Sequence, residues 1–512
     1  MTSTPPSSPA AAPYSSALRE TVEAVVIALM LAFVFRTFAA ENFVIPTGSL
    51  APTLMGDHKD LVCPQCGCPY QVSASRREVD HGICPNCRYQ ADLSSKNPLG
   101  KNYKTYSGDR ILVGKFLYQL QDPERWDLVV FHFPGDAKVN YIKRVVGLPG
   151  ETIWLKDGDL YVRKPGANEF TIVRKPPRKL LAMLQLVYDN DCQSAALNRA
   201  GWPSRWQPEP NPLGDGWQLA DENRALTTSG QSRRDAWIRY HHYRPTYEQW
   251  RQVLDGLPIG QPEATHIDDF TAYNSGEEMD RQPPDIRDLA VACSLEVQSD
   301  AGEAVFDLIK DGRHFKCHID LASGRAVLSI DGVPDFHPVA ETRIHGRGTY
   351  EVMFSNVDRQ LLFWIDRQVV PFDADTTYPE FHTQGARLPD LSPVGIGARG
   401  AALTARHVRV LRDIYYRPDG MTAAGPFTFP LAADQFFMLG DNSDCSKDGR
   451  KWSDDPAYPG ASYRLEYFVR RDLLIGKAIF IYWPHSWDQV TLFGVEIPFP
   501  FFPNFRRMGF SR

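Results

Sequence analysis

Hydrophobic and polar positions divide this chain into one apolar segment near its start and a long succession of β-type stretches. Ala24 to Phe35 is an uncharged apolar run, and with Arg36 tolerated it extends to Ala40. That is short of the roughly 20 residues a membrane span needs. A cleaved signal peptide would want a basic start and a small-x-small site after the run, yet only Arg19 precedes it. A buried soluble helix is a second reading. The reading adopted is a single anchor over 19–40, with Glu23 and Arg36 snorkelling at its ends. Residues 1–18 carry no charged side chain, are rich in Ser, Pro, Ala and Thr, and are expected to be disordered.

Beyond the run, Phe43 to Leu54 reads as a strand entering a proline-containing turn. Trp126 to Phe133 is β-rich, and Val139, Tyr141, Lys143 and Val145 then alternate with Asn140, Ile142, Arg144 and Val146. Strand period places Lys143 on a face with Val139, Tyr141 and Val145, and turns Arg144 the other way, towards solvent. Gly150 to Val162 predicts a hairpin about Lys156-Asp157-Gly158. A helix is expected over Arg178–Asn190. Short strands follow at 293–298, 304–309, 315–320, 326–330, 348–356, 361–365, 394–398 and 407–416, with turns such as Lys310-Asp311-Gly312 between them. Regular short strands with such turns argue for a β-sandwich. Gln435–Leu439 and Leu474–Trp483 complete the strand pattern, and the tail from Phe493 is rich in Phe and Pro.

At 512 residues the chain should hold two to four domains. A net charge of −6 gives no reason to expect nucleic acid as a partner. The nine cysteines are unevenly placed. Cys63-Pro-Gln-Cys66 and Cys84-Pro-Asn-Cys87 have the spacing of two zinc-ribbon knuckles, with Cys68 a spare. Four such thiolates would make a closed, structural Zn site; two disulfides are the competing reading.

Three further motifs carry chemistry. Ile45-Pro-Thr-Gly-Ser-Leu-Ala-Pro-Thr-Leu54 offers Ser49 as a nucleophile, after a glycine that lets a substrate backbone approach. Tyr141-Ile-Lys-Arg-Val-Val-Gly-Leu-Pro-Gly150 offers Lys143 as its base, provided burial disfavours the ammonium. Gly440-Asp-Asn-Ser-Asp-Cys-Ser-Lys-Asp-Gly-Arg450 offers Ser446, Asp448 and Arg450 as supports. Its spacing does not fit an EF-hand calcium loop. Taken singly, Ser49 is a turn serine and Lys143 a surface lysine.

In this order the motifs resemble the type I signal peptidases, membrane-anchored serine proteases that remove secretory signal peptides. The resemblance covers roughly residues 20–56, 108–165 and 430–485. It includes Gly108-Asp109-Arg-Ile-Leu-Val-Gly-Lys115, which in that family follows the serine motif almost directly; about fifty residues are inserted here. The resemblance implies Ser49 and Lys143 as the catalytic pair. The Ser49 N–H and the Thr47 hydroxyl would be oxyanion donors, and Ser446, Asp448 and Arg450 would hold the lysine. Shallow apolar pockets for small side chains at the −1 and −3 positions would be lined by Ile45, Pro46, Leu50, Leu54, Tyr141, Ile142 and Met438, for each of which core packing is an equal alternative. No cofactor is implied for catalysis. The N-terminus would be cytoplasmic and the catalytic domain on the far side of the cell membrane. The chain departs from the family where Leu50 replaces Met, Ser443 replaces Arg and Gly449 replaces Ser, and Thr47 stands where a serine is commoner.

The expected fold is therefore mainly β: a signal-peptidase-type catalytic core behind one transmembrane helix, interrupted by two inserts. The expected boundaries are a tail at 1–18, an anchor at 19–40, core at 41–57, 107–165 and 429–490, a zinc-ribbon-like insert at 58–106, a β-sandwich-like insert at 166–428 and a Phe/Pro-rich tail at 491–512. The large insert is similar to concanavalin- or laminin-G-like jelly rolls, for which an envelope or glycan ligand and a plain spacer role are equal expectations. Expected partners are preprotein signal peptides and membrane lipid. Two other functions compete: an anchored envelope-binding scaffold with a degenerate peptidase core, and a soluble self-cleaving Ser/Lys repressor-type protease. The first would have lost Ser49 or Lys143; the second would lack the apolar run and carry a DNA-binding helix pair.

Overall fold

The computed structural model describes residues 14–34, 40–75, 79–210, 216–275, 283–381, 390–417, 428–452, 467–492 and 495–511. The chain is mainly β. A helix does form near the start, Tyr14–Val34, with Leu18, Val22, Val25, Ile27, Leu29 and Met30 exposed. Among the described residues no helix is long and apolar enough to cross a membrane, so the expected span over 19–40 is not found there. Arg19, Glu20 and Glu23 lie inside the helix, Arg19 donating to Glu23 at 2.7 Å, so only residues 24–34 are uninterrupted and apolar. Residues 35–39 of the expected span and 1–13 of the expected tail lie outside the described residues.

The sheet that carries Lys143 has the strand order Ala40–Val44, Arg110–Gly114, Leu474–Trp483, Leu128–Phe133, Asp136–Gly147, Gln435–Leu439, Phe468–Arg470, with Gly509–Phe510 added on Leu474–Trp483. Strand alternation builds a core on each face. Leu128 and Val130 pack with Ile45, Leu50, Leu54, Ile111, Val113 and Ala478. Val129, Phe131 and Phe133 pack with Val145, Phe436, Met438 and Trp452. The register Leu439↔Arg144 brings the loop after Leu439 beside the lysine strand.

The predicted hairpin forms, with Asp157 and Gly158 both at positive φ and Lys156 paired to Asp159. It belongs to a small sheet ordered Thr171–Ile172, Asp159–Arg163, Thr152–Lys156, Thr428–Pro430. The region of the larger insert contains a sheet of eight strands and another of seven. A shared core includes Phe354 and Phe363 from the first, and Phe306 and Phe315 from the second. Arg313–Asp320 shows why such strands were legible: Phe315, Cys317 and Ile319 are buried while the residues between them are partly exposed. The helix expected over 178–190 is shorter, Pro177–Met183, and gives way to a strand, Gln185–Asp189. That strand pairs with Ala402–Arg412, so a distant partner claims residues whose local pattern suited a helix.

The cysteine-rich segment is two short hairpins, His58–Val62 with Pro69–Ser73 and His81–Ile83 with Gln90–Asp92. It packs on Leu197, Trp202, Tyr243, Trp250 and Ala272 of the larger insert, and the Trp250 indole donates to the Cys87 carbonyl at 2.8 Å.

Lys175 ties the segment after Thr171–Ile172 to the residues that follow Gly348–Val357 and Ala402–Arg412. It is 5 % exposed and its ammonium donates to Asp358 at 2.9 Å and Asp413 at 2.6 Å. Burial by itself would lower its pKa, but the two carboxylates hold it well above the ordinary lysine value. Lys175→Met leaves buried carboxylates without their counter-charge. It is expected to cost about 3–5 kcal/mol, read as a lower urea midpoint by tryptophan fluorescence.

Candidate active site

Ser49 stands on a turn that begins where Ala40–Val44 leaves the sheet edge. Ile45 N–H donates to Asp109 O at 2.9 Å, and Met55 N–H donates to the Asp109 carboxylate at 2.7 Å, so the Gly108-Asp109 motif holds both ends of the turn. Ala51 N–H closes the turn on Gly48 O at 3.0 Å, and the Ala51–Pro52 peptide is cis. Lys143 Nζ donates to Ser49 Oγ at 2.6 Å across 94 residues of sequence. Lys143 is 4 % exposed, and its amine stands 5.3 Å from the centre of the Tyr141 ring. Val139 is 41 % exposed and so does not contribute to the apolar surround expected of it.

Arg144 also departs from expectation. It is fully buried, not solvated, because its guanidinium grips Asp441 at both carboxylate oxygens, 2.7 and 2.5 Å, and donates to Trp126 O at 2.8 Å. Asp441 also accepts from the Thr53 hydroxyl at 2.5 Å. One carboxylate thus ties the lysine strand, the serine turn and the Gly440–Arg450 loop together.

That loop is held a second time by Arg450, which donates to Asp448 at 2.8 and 2.7 Å, to the Ser443 hydroxyl at 2.9 Å and to the Ser443 carbonyl at 2.8 Å. Burial would raise the Asp448 carboxyl, but Arg450 and the Gly440 N–H outweigh it and hold the carboxyl below its usual range. Ser446 is wholly buried, and its hydroxyl is among the groups that hold the Asp448 carboxyl down. A Cβ on Gly440 would stand 2.2 Å from that hydroxyl and 2.3 Å from the Ser49 carbonyl, so only glycine lets the loop approach the nucleophile.

Of the residues expected to line pockets, Ile45, Leu50, Leu54 and Met438 are at most 3 % exposed and fill the core, because their strands and turn face the two apolar clusters. Pro46, Tyr141 and Ile142 keep accessible surface, as does Thr47.

The motifs did not reveal how the larger insert reaches this site. Its short 3-10 turn Ala272–Asn274 sits directly on the serine loop. A Cβ on Gly48 would lie 2.0 Å from the Tyr273 ring, so ring and backbone are in intimate contact. The Asn274 and Asn442 amides exchange hydrogen bonds at 2.7 and 2.8 Å. Asn442 in turn donates its side chain to Gly48 O at 3.0 Å and its backbone N–H to Ser49 O at 3.1 Å. No local signal marks Tyr273 or Asn274, since their partners are far away in sequence.

Cys63, Cys66, Cys84 and Cys87 converge, with their sulfurs all within 4.8 Å of one another and two contacts at 3.5 and 3.6 Å. No disulfide joins these four cysteines in the structure. Sulfurs about 2.3 Å from a tetrahedral zinc stand roughly 3.8 Å apart, so the set could hold a metal ion. Cys68 lies outside it.

The family described as "Signal peptidase, peptidase S26" matches residues 99–193. Curated relatives include signal peptidase I of Pseudomonas aeruginosa, 31 % identical over 161 residues, covering 29 % of this chain and 39 % of the relative. The same enzyme of Pseudomonas fluorescens is 29 % identical over 149 residues, with the same shares, and that of Rickettsia typhi 30 % over 135 residues, covering 26 % and 39 %. The chain spans about two fifths of the length of these relatives. Among solved structures, a carbohydrate-binding module, CBM66, of Bacillus subtilis aligns with 40 % of this chain and 95 % of its own, at 10 % identity and a TM-score of 0.24. A galectin of Caenorhabditis elegans, LEC-6, aligns with 25 % and 83 % at 9 % identity and 0.18, and likenesses this distant support no inference.

Two outcomes follow from the site's geometry. Asp448→Asn strips Arg450 of its buried counter-charge and is expected to cost about 3–5 kcal/mol at neutral pH. The folded carboxyl titrates below its unfolded value of about 3.9, so the parent's advantage is complete above that value and is lost as pH falls through the folded one. Urea titrations at stepped pH should show parent and variant converging in acid. Asn274→Ala and Asn442→Ala should each cost about 1–3 kcal/mol, with a double variant costing clearly less than their sum, which a double-mutant cycle on thermal or urea unfolding will measure.

Proposed function

We propose that this chain is a serine endopeptidase of the signal peptidase I type, hydrolysing the bond after the signal peptide of exported preproteins. The observation that carries the reading is the 2.6 Å contact between Lys143 Nζ and Ser49 Oγ. With the lysine amine neutral, the hydroxyl proton passes from Oγ to Nζ as Oγ attacks the scissile carbonyl carbon. The tetrahedral oxyanion is met by the Ser49 N–H and the Thr47 hydroxyl. Collapse breaks the C–N bond, Lys143 returns its proton to the leaving amine, and an ester on Ser49 remains. Lys143 then takes a proton from water as that water attacks the ester carbon, the C–Oγ bond breaks, and the proton passes from Nζ to Oγ to restore Ser49. Asp441, Asp448, Asn442 and their partners position the loops and take no proton in this sequence.

The substrate chain would lie extended beside the serine turn, near Pro46, Tyr141 and Ile142, with small residues at its −1 and −3 positions. Apolar positions exposed along Tyr14–Val34 support attachment to a membrane, with the catalytic domain on the extracytoplasmic side. The four converging thiols support a closed structural Zn site that fastens the two hairpins. The seating of Ala272–Asn274 on the serine loop supports a role for the larger insert in shaping the site.

A preprotein with an Ala-x-Ala site, incubated with the detergent-solubilised chain, should be cut after that site, as mass spectrometry of the products will show. Ser49→Ala and Lys143→Ala should each lower the rate by roughly 10³-fold or more. Uncut substrate with a folded parent, across several preproteins, would refute the reading.

A further inference from the structure

His58, Asp60 and His485 come from opposite ends of the chain and meet away from the serine–lysine pair. His58 and Asp60 stand on His58–Val62, and His485 follows Leu474–Trp483. His58 Nε2 lies 3.7 Å from one Asp60 oxygen, and His485 Nε2 lies 2.8 Å from the other. One ligand atom from each of the three falls within 4.8 Å of the other two. The two rings are 1 % and 4 % exposed and meet edge to face at 5.1 Å between centres. Tyr106 closes one side, its ring centre 4.6 Å from that of His485.

The tautomer of His58 is set by its neighbour. Its Nδ1 is 2.7 Å from Gly56 O, and a carbonyl can only accept, so Nδ1 carries the proton. Nε2 therefore holds a lone pair, is buried, and has no hydrogen-bond partner. An orphaned buried acceptor is costly, and an imidazole whose Nδ1–H is anchored on a backbone carbonyl is the form that ligates a metal through Nε2.

The geometry points to a metal site formed by His58, Asp60 and His485, separate from the four cysteines and suited to a divalent transition ion such as Zn²⁺. Two imidazoles and a carboxylate favour zinc, cobalt, nickel or ferrous iron over calcium or magnesium. Donors about 2.0–2.1 Å from a tetrahedral zinc stand roughly 3.4 Å apart, and the observed 2.8 and 3.7 Å lie on either side of that. Binding moves the proton of His485 from Nε2 to Nδ1 or to solvent, and Asp60 exchanges it for the ion. The ion would clasp the segment after the last core strand to the base of the cysteine-rich hairpins. Asp57, beside His58, donates its N–H to Pro46 O at 3.4 Å, so the clasp would brace the serine turn from behind. The other carboxylate trio, Asp159, Asp288 and Asp358, is already faced by the ammonium groups of Lys175 and Lys310.

The test is a metal count on the whole chain in detergent and reductant, stripped with chelator and dialysed against Zn²⁺, by plasma mass spectrometry. His485→Ala and His58→Gln should each bind one equivalent less than the parent. A second measurement on the parent alone guards against variants that fail to fold. With its thiols first saturated with Zn²⁺, added Co²⁺ should give ligand-field absorption typical of nitrogen and oxygen donors, without thiolate charge transfer. Equal metal in parent and folded variants, or no such Co²⁺ spectrum, would overturn the assignment. Neither readout depends on peptidase activity or on the ligand set of the cysteines.

Discussion

The buried ion pair of Arg144 and Asp441 is the constraint on which the rest of the site hangs. Both side chains are fully excluded from solvent. Desolvating a guanidinium and a carboxylate is expensive, and is tolerated only where the geometry is good and the remaining polar atoms are met. Here the guanidinium spans both carboxylate oxygens and also reaches Trp126 O, while Thr53 donates to the carboxylate. Such a pair has few alternative arrangements. Because its members lie on the lysine strand and on the loop after Leu439, with Thr53 on the serine turn, satisfying it fixes all three relative to one another. The 2.6 Å contact between Lys143 and Ser49 lies one residue along the strand from this pair.

The Gly440–Arg450 loop is rigid for a related reason. Arg450 serves the loop's own carbonyl, hydroxyl and carboxylate groups. Ser443, where the resembled family usually shows arginine, accepts from Arg450 here. The departure therefore keeps a role in the polar network while changing the group that fills it. Close approach of this loop to the serine carbonyl also explains the glycine at 440.

The region expected as the larger insert packs against the serine turn. Through Tyr273 and Asn274 it touches Gly48, next to Ser49, and Asn442, which donates to the Gly48 carbonyl. The cysteine-rich hairpins lie between, packed on the same insert by Trp250, Leu197 and Trp202. The first sheet, the cysteine-rich hairpins and residues 272–274 thus pack continuously around the serine turn.

Strand positions were readable because side-chain alternation is a local property, imposed by burial of one face. Phe315, Cys317 and Ile319 announce theirs without reference to any partner. The meeting of Ser49 with Lys143 was legible through motifs that resemble a known family, and the convergence of four cysteines through their Cys-x-x-Cys spacings. The burial of Arg144 was not, since its counter-charge lies 297 residues away and a strand pattern alone points it at water. The helix expected over 178–190 failed for the same reason, a distant strand having recruited its second half. Tyr273, Asn274 and the meeting of His58 with His485 carry no local mark at all. The sequence alone determined which chemical groups were available and which strictly alternating stretches would be strands, because these follow from composition and period. Only the tertiary structure decided which charges were buried, which loops touched and which groups stood within reach of one another, because those depend on partners brought together by packing across hundreds of residues.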